Sequence, residues 1–413
     1  MVRLTAFICL VAALLTLGCN GARETDEVTF VVSVGIDAAP GGQVNVTYRV
    51  VKPSATGGEG GKGSSEASQA ITITAPSLAV ARDLLNSQVA RAPSLSHVKV
   101  FVIGEELARK GLGEAIGPLP RFREFRGSMY IHIVDGTTAE KVIRANKPVV
   151  EKLPTRWVEG TMGSAGETGY YLRTFLHDFL VRLKAGSGSP YAALVGINSG
   201  TGEARLSGQP AAGEKTGEYL AGGIGTRGGN PVQMIGTALF RGDKLVGKLT
   251  SEETRMLAML TGDFRRGYIT IQDPLQSKSG VNIHLRPGRR PKIDVDIVDG
   301  QMIIGIDIML EGEVTSIASG INYENPEYNQ KLEEQISAVV RADMAKMLRY
   351  TQQVGSDPAD IGKYLRPRFR TYEEFRRFDF TAKYETAQVD VKVSTQVRRT
   401  ALMQKTSPIR DRH

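Results

Sequence analysis

Cys19 is the residue whose setting points most directly to a chemistry. It follows Leu14-Leu15-Thr16-Leu17-Gly18, and before that lie Met1-Val2-Arg3 and an almost unbroken apolar run from Leu4 to Leu17. A positive start, an apolar core and a small residue before the cut mark a secretory leader; the run is too short and too one-sided in its flanks for a transmembrane helix. Cysteine directly after Gly18 is the residue type that takes a thioether-linked diacylglyceryl group before cleavage. Leu17 and Gly18 fit that chemistry, while Thr16 stands where a branched aliphatic residue is preferred. The expectation is a leader over 1–18, lipid on Cys19, and the rest of the chain outside the cytoplasm beside a membrane.

Other spacings fail on context. Gly242 to Lys248 reads GxxxxGK, the spacing of a phosphate-binding loop, but Leu249 occupies the place of the magnesium-binding Ser or Thr. Lys244 to Leu249 also alternates like a strand, so a hairpin is expected. Gly223-Ile224-Gly225-Thr226-Arg227-Gly228 reads GxGxxG, yet Pro231 follows too soon for a helix to present its N-terminus to a pyrophosphate. The five histidines do not cluster: His97 and His132 are expected on separate strands in structural roles, His177 on a solvated helix face, His284 on the polar side of a strand and His413 at the terminus. No HExxH or GxSxG occurs, and no pair of acids is set apart by spacing. Neither catalytic residues, nor a metal site, nor a cofactor is expected. The two cysteines are Cys9, inside the leader, and Cys19. Disulfides and thiolate metal sites are thereby excluded from the mature chain despite its exported location.

The elements that carry these residues are those of a globular chain. Its 413 residues are 41% hydrophobic and 23% charged, which suits two or three domains with real cores. No second apolar stretch is long enough to cross a membrane. The net charge of +8 reads first as a solvated, slightly basic surface, and second as attraction to an anionic leaflet that would support a lipid anchor. Nucleic acid is the competing partner for a basic chain; export and the dispersal of the arginines argue against it. Two arginine-aromatic segments stand out, Arg121-Phe122-Arg123-Glu124-Phe125-Arg126 and Arg366 to Phe378. They read first as arginines snorkelling over buried phenylalanine, and second as contacts for lipid head groups or an acidic partner.

Period-2 alternation places strands at Val28 to Ile36, Val44 to Val50, Ile71 to Ile73, Val98 to Ile103, Ser128 to Val134, Thr237 to Phe240, Lys244 to Leu249, Val281 to Leu285, Ile293 to Val298, Met302 to Val314 and Val389 to Val397. Helices are expected after the cap Ser77, after Gly104, after Thr137 with Glu140 in a capping box, over Tyr170 to Lys184, after Thr250 with Glu253, over Glu327 to Tyr350, and after Asp357-Pro358. Ser54 to Ser68 and Gly186 to Asn230 are rich in glycine, the first a surface loop and the second a boundary region. The result is a multi-domain α+β chain with mixed or antiparallel sheets each backed by helices. Its expected segments are a tether over 19–27, an N-terminal α+β domain over 28–205, a Gly-rich boundary over 206–232, a C-terminal α+β region over 233–400 and a tail over 401–413.

The order of these segments resembles the C-subunit lipoproteins of bacterial spore germinant receptors, the Ger(x)C family. The likeness rests on the leader with Cys19 followed by Val34-Gly35-Ile36-Asp37, and on Leu95-Ser96-His97-Val98-Lys99 through Gly104-Glu105-Glu106-Leu107 to Gly111-Leu112. Gly236-Thr237-Ala238-Leu239-Phe240 through Asp243-Lys244-Leu245-Val246-Gly247 to Glu252-Glu253-Thr254-Arg255 carries it further, as do the long helix, Asp360-Ile361-Gly362 and the closing valine strand. The Gly/Ser insertion at Ser54 to Ser68, the stretch around Gly200 to Gly229 and the single tryptophan, Trp157, mark a divergent member. The resemblance implies a non-enzymatic subunit, anchored by lipid to the outer face of the spore's inner membrane and assembled with integral-membrane A and B subunits. Only Cys19 carries over as a functional position. The alternative is a solute-binding lipoprotein that itself captures a small nutrient, which requires a deep cleft between domains.

Overall fold

The structure, a computed structural model, describes residues 27–51, 68–151, 154–198 and 218–399. The leader, Cys19, the Gly/Ser loop up to residue 67, the start of the Gly-rich boundary and the tail lie outside these residues.

The first sheet begins with β1 (Val28–Ala38), β2 (Val44–Val51) and β3 (Ser68–Ala75), joined as an antiparallel meander. Helix α1 (Leu78–Asn86) follows, with the Ser77 hydroxyl accepting the Val80 N–H and with Leu78, Ala81 and Leu85 buried. Next come β4 (Ala92–Ser94), β5 (Val100–Ile103), α2 (Glu105–Lys110), β6 (Tyr130–Val134), α3 (Ala139–Ala145), α4 (Pro154–Gly163), α5 (Leu176–Ala185) and β7 (Tyr191–Ile197). The hairpin of β8 (Val232–Arg241) and β9 (Lys244–Leu249) closes the order β3-β2-β1-β5-β6-β7-β8-β9, with β4 beside the start of β1. β1, β5, β6 and β7 run parallel, so their residues are buried on both faces and read as continuous apolar runs.

Helix α6 (Ser251–Thr261) leads to the second sheet: β10 (Gly267–Gln272), β11 (Gly280–Pro287), β12 (Lys292–Val298) and the long β13 (Gln301–Ile317). Asp299 and Gly300 join β12 to β13 with φ of 51° and 79°, the double left-handed turn that matches strand twist. Helix α7 (Pro326–Gln353) lays Leu332, Ile336, Val340, Met344 and Met347 on this sheet. After α8 (Tyr372–Arg377) and α9 (Phe380–Glu385), β14 (Gln388–Arg399) returns parallel to β13. The α+β class is as expected: two mixed sheets, each backed by helices.

Several local expectations change. The apolar stripe over Tyr170 to Lys184 becomes a helix only from Leu176, because backbone groups before it are taken elsewhere. Gly236 N–H donates to the Tyr170 carbonyl at 2.7 Å and Ile131 N–H to that of Thr174 at 3.2 Å. Buried Arg255 adds a bond to the Thr168 carbonyl at 2.9 Å and lies 4.4 Å from the Tyr170 ring centre. Thr138, not Thr137, caps α3, accepting the Lys141 N–H. The expected boundary region contains β7, a central strand. The hairpin β8–β9, grouped in sequence with the C-terminal region, pairs with β7 in the first sheet. Its Leu239 and Leu249 nevertheless pack into the core beneath the second sheet, so the two units share a continuous apolar seam.

Candidate functional site

Two polar constructions organise the molecule, and both use residues from the segments that carry the family likeness. The first lies at the carboxyl ends of β1 and β5. Asp37, buried on β1, accepts the N–H groups of Ala139 and Glu140 at 2.8 and 3.0 Å, so its carboxylate sits on the N-terminus of α3. Burial lifts its carboxyl above the usual range, and the two backbone bonds offset part of that rise. Gly104 leaves the space it needs: a Cβ there would stand 2.1 Å from Asp37 Oδ1. Beside it, Lys248 Nζ reaches Glu105 at 2.7 Å and Asp135 at 2.5 Å. Burial opposes charge on Glu105, but hydrogen bonds from Lys248 and Arg109 hold its carboxyl below the usual range. The lysine of the GxxxxGK spacing is thus an ion-pair residue on β9. The turn residue Asp243 accepts the Gly113 N–H at 2.8 Å.

The second construction joins the two units. After α7 the chain enters Ser356 to Gly362 and meets Ser187 to Ser189, which follow α5. Ser189 N–H donates to the Asp357 carbonyl at 2.7 Å, and Asp357 N–H returns a bond to Ser189 Oγ at 2.9 Å. Ser356 Oγ donates to the Phe240 carbonyl at 2.8 Å, Ser187 Oγ to Asp360 Oδ1 at 2.8 Å, and Arg182 Nη1 to the Pro358 carbonyl at 3.0 Å. Approach is close: a Cβ on Gly362 would lie 2.2 Å from the Ser187 carbonyl oxygen. Asp357 is 3% exposed. Its Oδ2 accepts from Ile361 and Gly362 at 2.6 and 3.3 Å, while Oδ1 has no partner among the described residues. Burial, reinforced by Asp360, pushes its carboxyl up to about 7. Asp357 was expected to open a helix directly. It caps instead a turn that becomes helical only at Gly362–Leu365, because Asp360 adopts φ 56° to reach Ser187.

The remaining expected residues stay apart. Cys19 lies outside the described residues. His97 lies in a turn rather than on a strand, its ring 4.7 Å from Phe30. His132 is buried on β6, its imidazole pushed down to about 4 by desolvation. His177 is exposed, and His284 pairs with Tyr268. Gly223 to Gly228 form a loop leading into β8, with Ile224 N–H bonded to Gln233. Among the described residues no group of His, Cys, Asp or Glu is placed to hold a metal ion, and no helix is long and apolar enough to cross a membrane. In both arginine-aromatic segments phenylalanine is buried beneath exposed arginine: Phe125 in the first, Phe375 in the second. The Ser187–Gly362 seam was not legible as a site, since its two halves read separately as a glycine-rich boundary and a helix cap. Paired Ser and Gly facing an Asp-x-x-Asp were its only trace.

The geometry defines a two-unit α+β protein whose polar clusters serve packing and unit docking. Two family models match it in succession: the spore germination protein N-terminal domain over residues 21–197, and the spore germination B3/GerAC-like C-terminal domain over residues 235–401. The chain belongs to this family, that of the C subunits of spore germinant receptors. It is 22% identical over 85% of its length to 84% of the putative spore germination protein YfkR of Bacillus subtilis (strain 168). It is 21% identical to spore germination protein GerQC of Bacillus cereus, covering 92% of this chain and 98% of that one. Spore germination protein B3 of B. subtilis (strain 168) is 20% identical over 84% of this chain and 85% of its own. The crystal structure of the GerBC protein shares the fold, with a TM-score of 0.52 and 17% identity over 88% of this chain and 96% of that one.

Proposed function

We propose that this chain is the lipid-anchored, non-enzymatic subunit of a spore germinant receptor. A diacylglyceryl group on Cys19 holds it to the outer face of the spore's inner membrane, where it acts through contacts with integral-membrane A and B subunits. The observation that carries this reading is the pair of consecutive family matches, preceded in the sequence by an apolar run ending in Gly18-Cys19. The organisation of the fold supports it: the carboxylates of Asp37 and Asp357 accept backbone N–H groups of the chain itself and tie its own elements together. Ligand-dependent signalling through such a subunit requires that it bind the liganded receptor differently from the free one.

Cys19→Ala tests the anchor. Spores carrying it should lose the protein from salt-washed inner membranes and germinate poorly with nutrient, while germinating normally with a stimulus that bypasses receptors. Retention after the salt wash together with normal nutrient germination would refute both the anchor and the role.

A further inference from the structure

The described chain begins at Glu27, and β1 starts at once with Val28. The surface around that point is set by what the first residues of β1 touch. Val28 pairs with Ala92 of β4, which places exposed Arg91 beside the point of entry. Glu124 fixes the first arginine-aromatic segment to the same place, accepting the Leu95 N–H at 3.0 Å directly after β4. Exposed Arg123 and Arg126 flank it. The segment then runs into β6, whose Tyr130 N–H bonds Lys99 at the start of β5. β6 lies two strands from β1, about 10 Å away at the usual strand spacing. Exposed Arg173 joins the same rim: it lies 5.6 Å from the Phe175 ring centre, and Phe175 stacks on Tyr130 at 4.9 Å.

Arg91, Arg123, Arg126 and Arg173 have no carboxylate partner among the described residues, whereas the acids nearby are engaged. Glu124 pairs with Arg82, Glu159 with Lys99, and Asp178 accepts the Phe175 N–H. The stretch joining Cys19 to β1 contains Arg23 with Glu24, Asp26 and Glu27, an excess of two acids against the four arginines of the rim. At ~3.3 Å per extended residue, Cys19 stands at most about 30 Å from Val28. The phenylalanines of the segment are turned inward, with Phe125 buried against Phe101 and Phe122, so the rim offers guanidinium groups rather than an apolar wedge.

From this arrangement we infer that the rim formed by Arg91, Arg123, Arg126 and Arg173 docks on the phosphate groups of an anionic lipid bilayer, giving the anchored chain a second membrane contact and a fixed orientation. One acyl attachment constrains distance but not orientation, and a positive rim at the anchored end sets which face meets the leaflet. The inference builds on the lipid anchor proposed above.

The test uses the chain from residue 19 onward carrying Cys19→Ser, so that no acyl group contributes. It should sediment with vesicles containing phosphatidylglycerol and not with pure phosphatidylcholine, and the binding should vanish as salt rises from about 0.1 to 0.5 M. The triple variant R91E/R123E/R126E should bind such vesicles at least about tenfold more weakly. K278E/R290E/K292E, which reverses the same number of exposed charges on the second sheet, should bind as before. Absence of lipid-dependent binding, or equal loss in both triple variants, would overturn the inference. So would binding only to membranes that contain receptor subunits, which would make the rim a protein-docking surface. Failure of the anchor itself would show separately, as a native chain recovered from spore membranes without the mass of a diacylglyceryl group on Cys19.

Discussion

Gly104→Ala is expected to destabilise the protein by about 3 to 4 kcal/mol, although its backbone tolerates any residue. Gly104 has φ −62° and ψ 143°, ordinary extended values, so the cost comes from space alone. An added methyl would stand 2.1 Å from Asp37 Oδ1 and 3.2 Å from its carboxyl carbon. Asp37 is held by the Ala139 and Glu140 N–H groups and cannot turn away without losing them. Moving it would strip the N-terminus of α3 of its buried carboxylate and leave two donors unpaired, the costlier side of hydrogen-bond loss. The alternative is to displace α2 from β5 and disturb Glu105 with its bond to Lys248. Urea unfolding should show a large fall in midpoint with an unchanged slope. A loss below about 1 kcal/mol would mean that Asp37 is not the element that seats α3.

The second large effect concerns pH. Asp357 ionises near 7 in the folded chain, against 3.8 for an unperturbed aspartate. The folded state therefore keeps a proton that the unfolded state releases between those values. Stability contributed at this position is highest at acid pH, falls as pH rises from about 4 to about 7, and is flat above. Between pH 5 and 8 the fall should amount to about 2 to 3 kcal/mol, and it should act on the seam that joins the two units. Asp357→Asn keeps an oxygen for Ile361 and Gly362 and removes the titration. Melting temperatures measured at pH 5 and pH 8 should differ in the native chain by several degrees more than in the variant. Equal pH dependence in the two would show that the carboxyl at the seam does not titrate in this range.

Much of the fold was legible because local and tertiary preferences agree. Asp299-Gly300 supplies two left-handed residues where a hairpin needs them, and the stripe Leu332, Ile336, Val340, Met344 and Met347 is the buried face of α7. What escaped was set by distant partners. Tyr170 to Thr174 has helical periodicity but spends its carbonyls on Gly236 and Ile131. β7 lies within a glycine-rich stretch and becomes a central strand through its pairing with β6 and β8. Asp357 has every local mark of a helix cap, yet its backbone is committed to Ser189, far away in sequence. The candidate lipid site is a different case: it is read from consecutive residues alone, and Cys19 lies outside the described ones.

Affinity purification of the tagged chain from inner membranes of dormant spores tests the central claim most directly. The account expects it to arrive with a mass increase for diacylglycerol on Cys19 and with two integral-membrane receptor subunits in fixed proportion. A chain recovered alone, without lipid on Cys19 and without membrane partners, would contradict it.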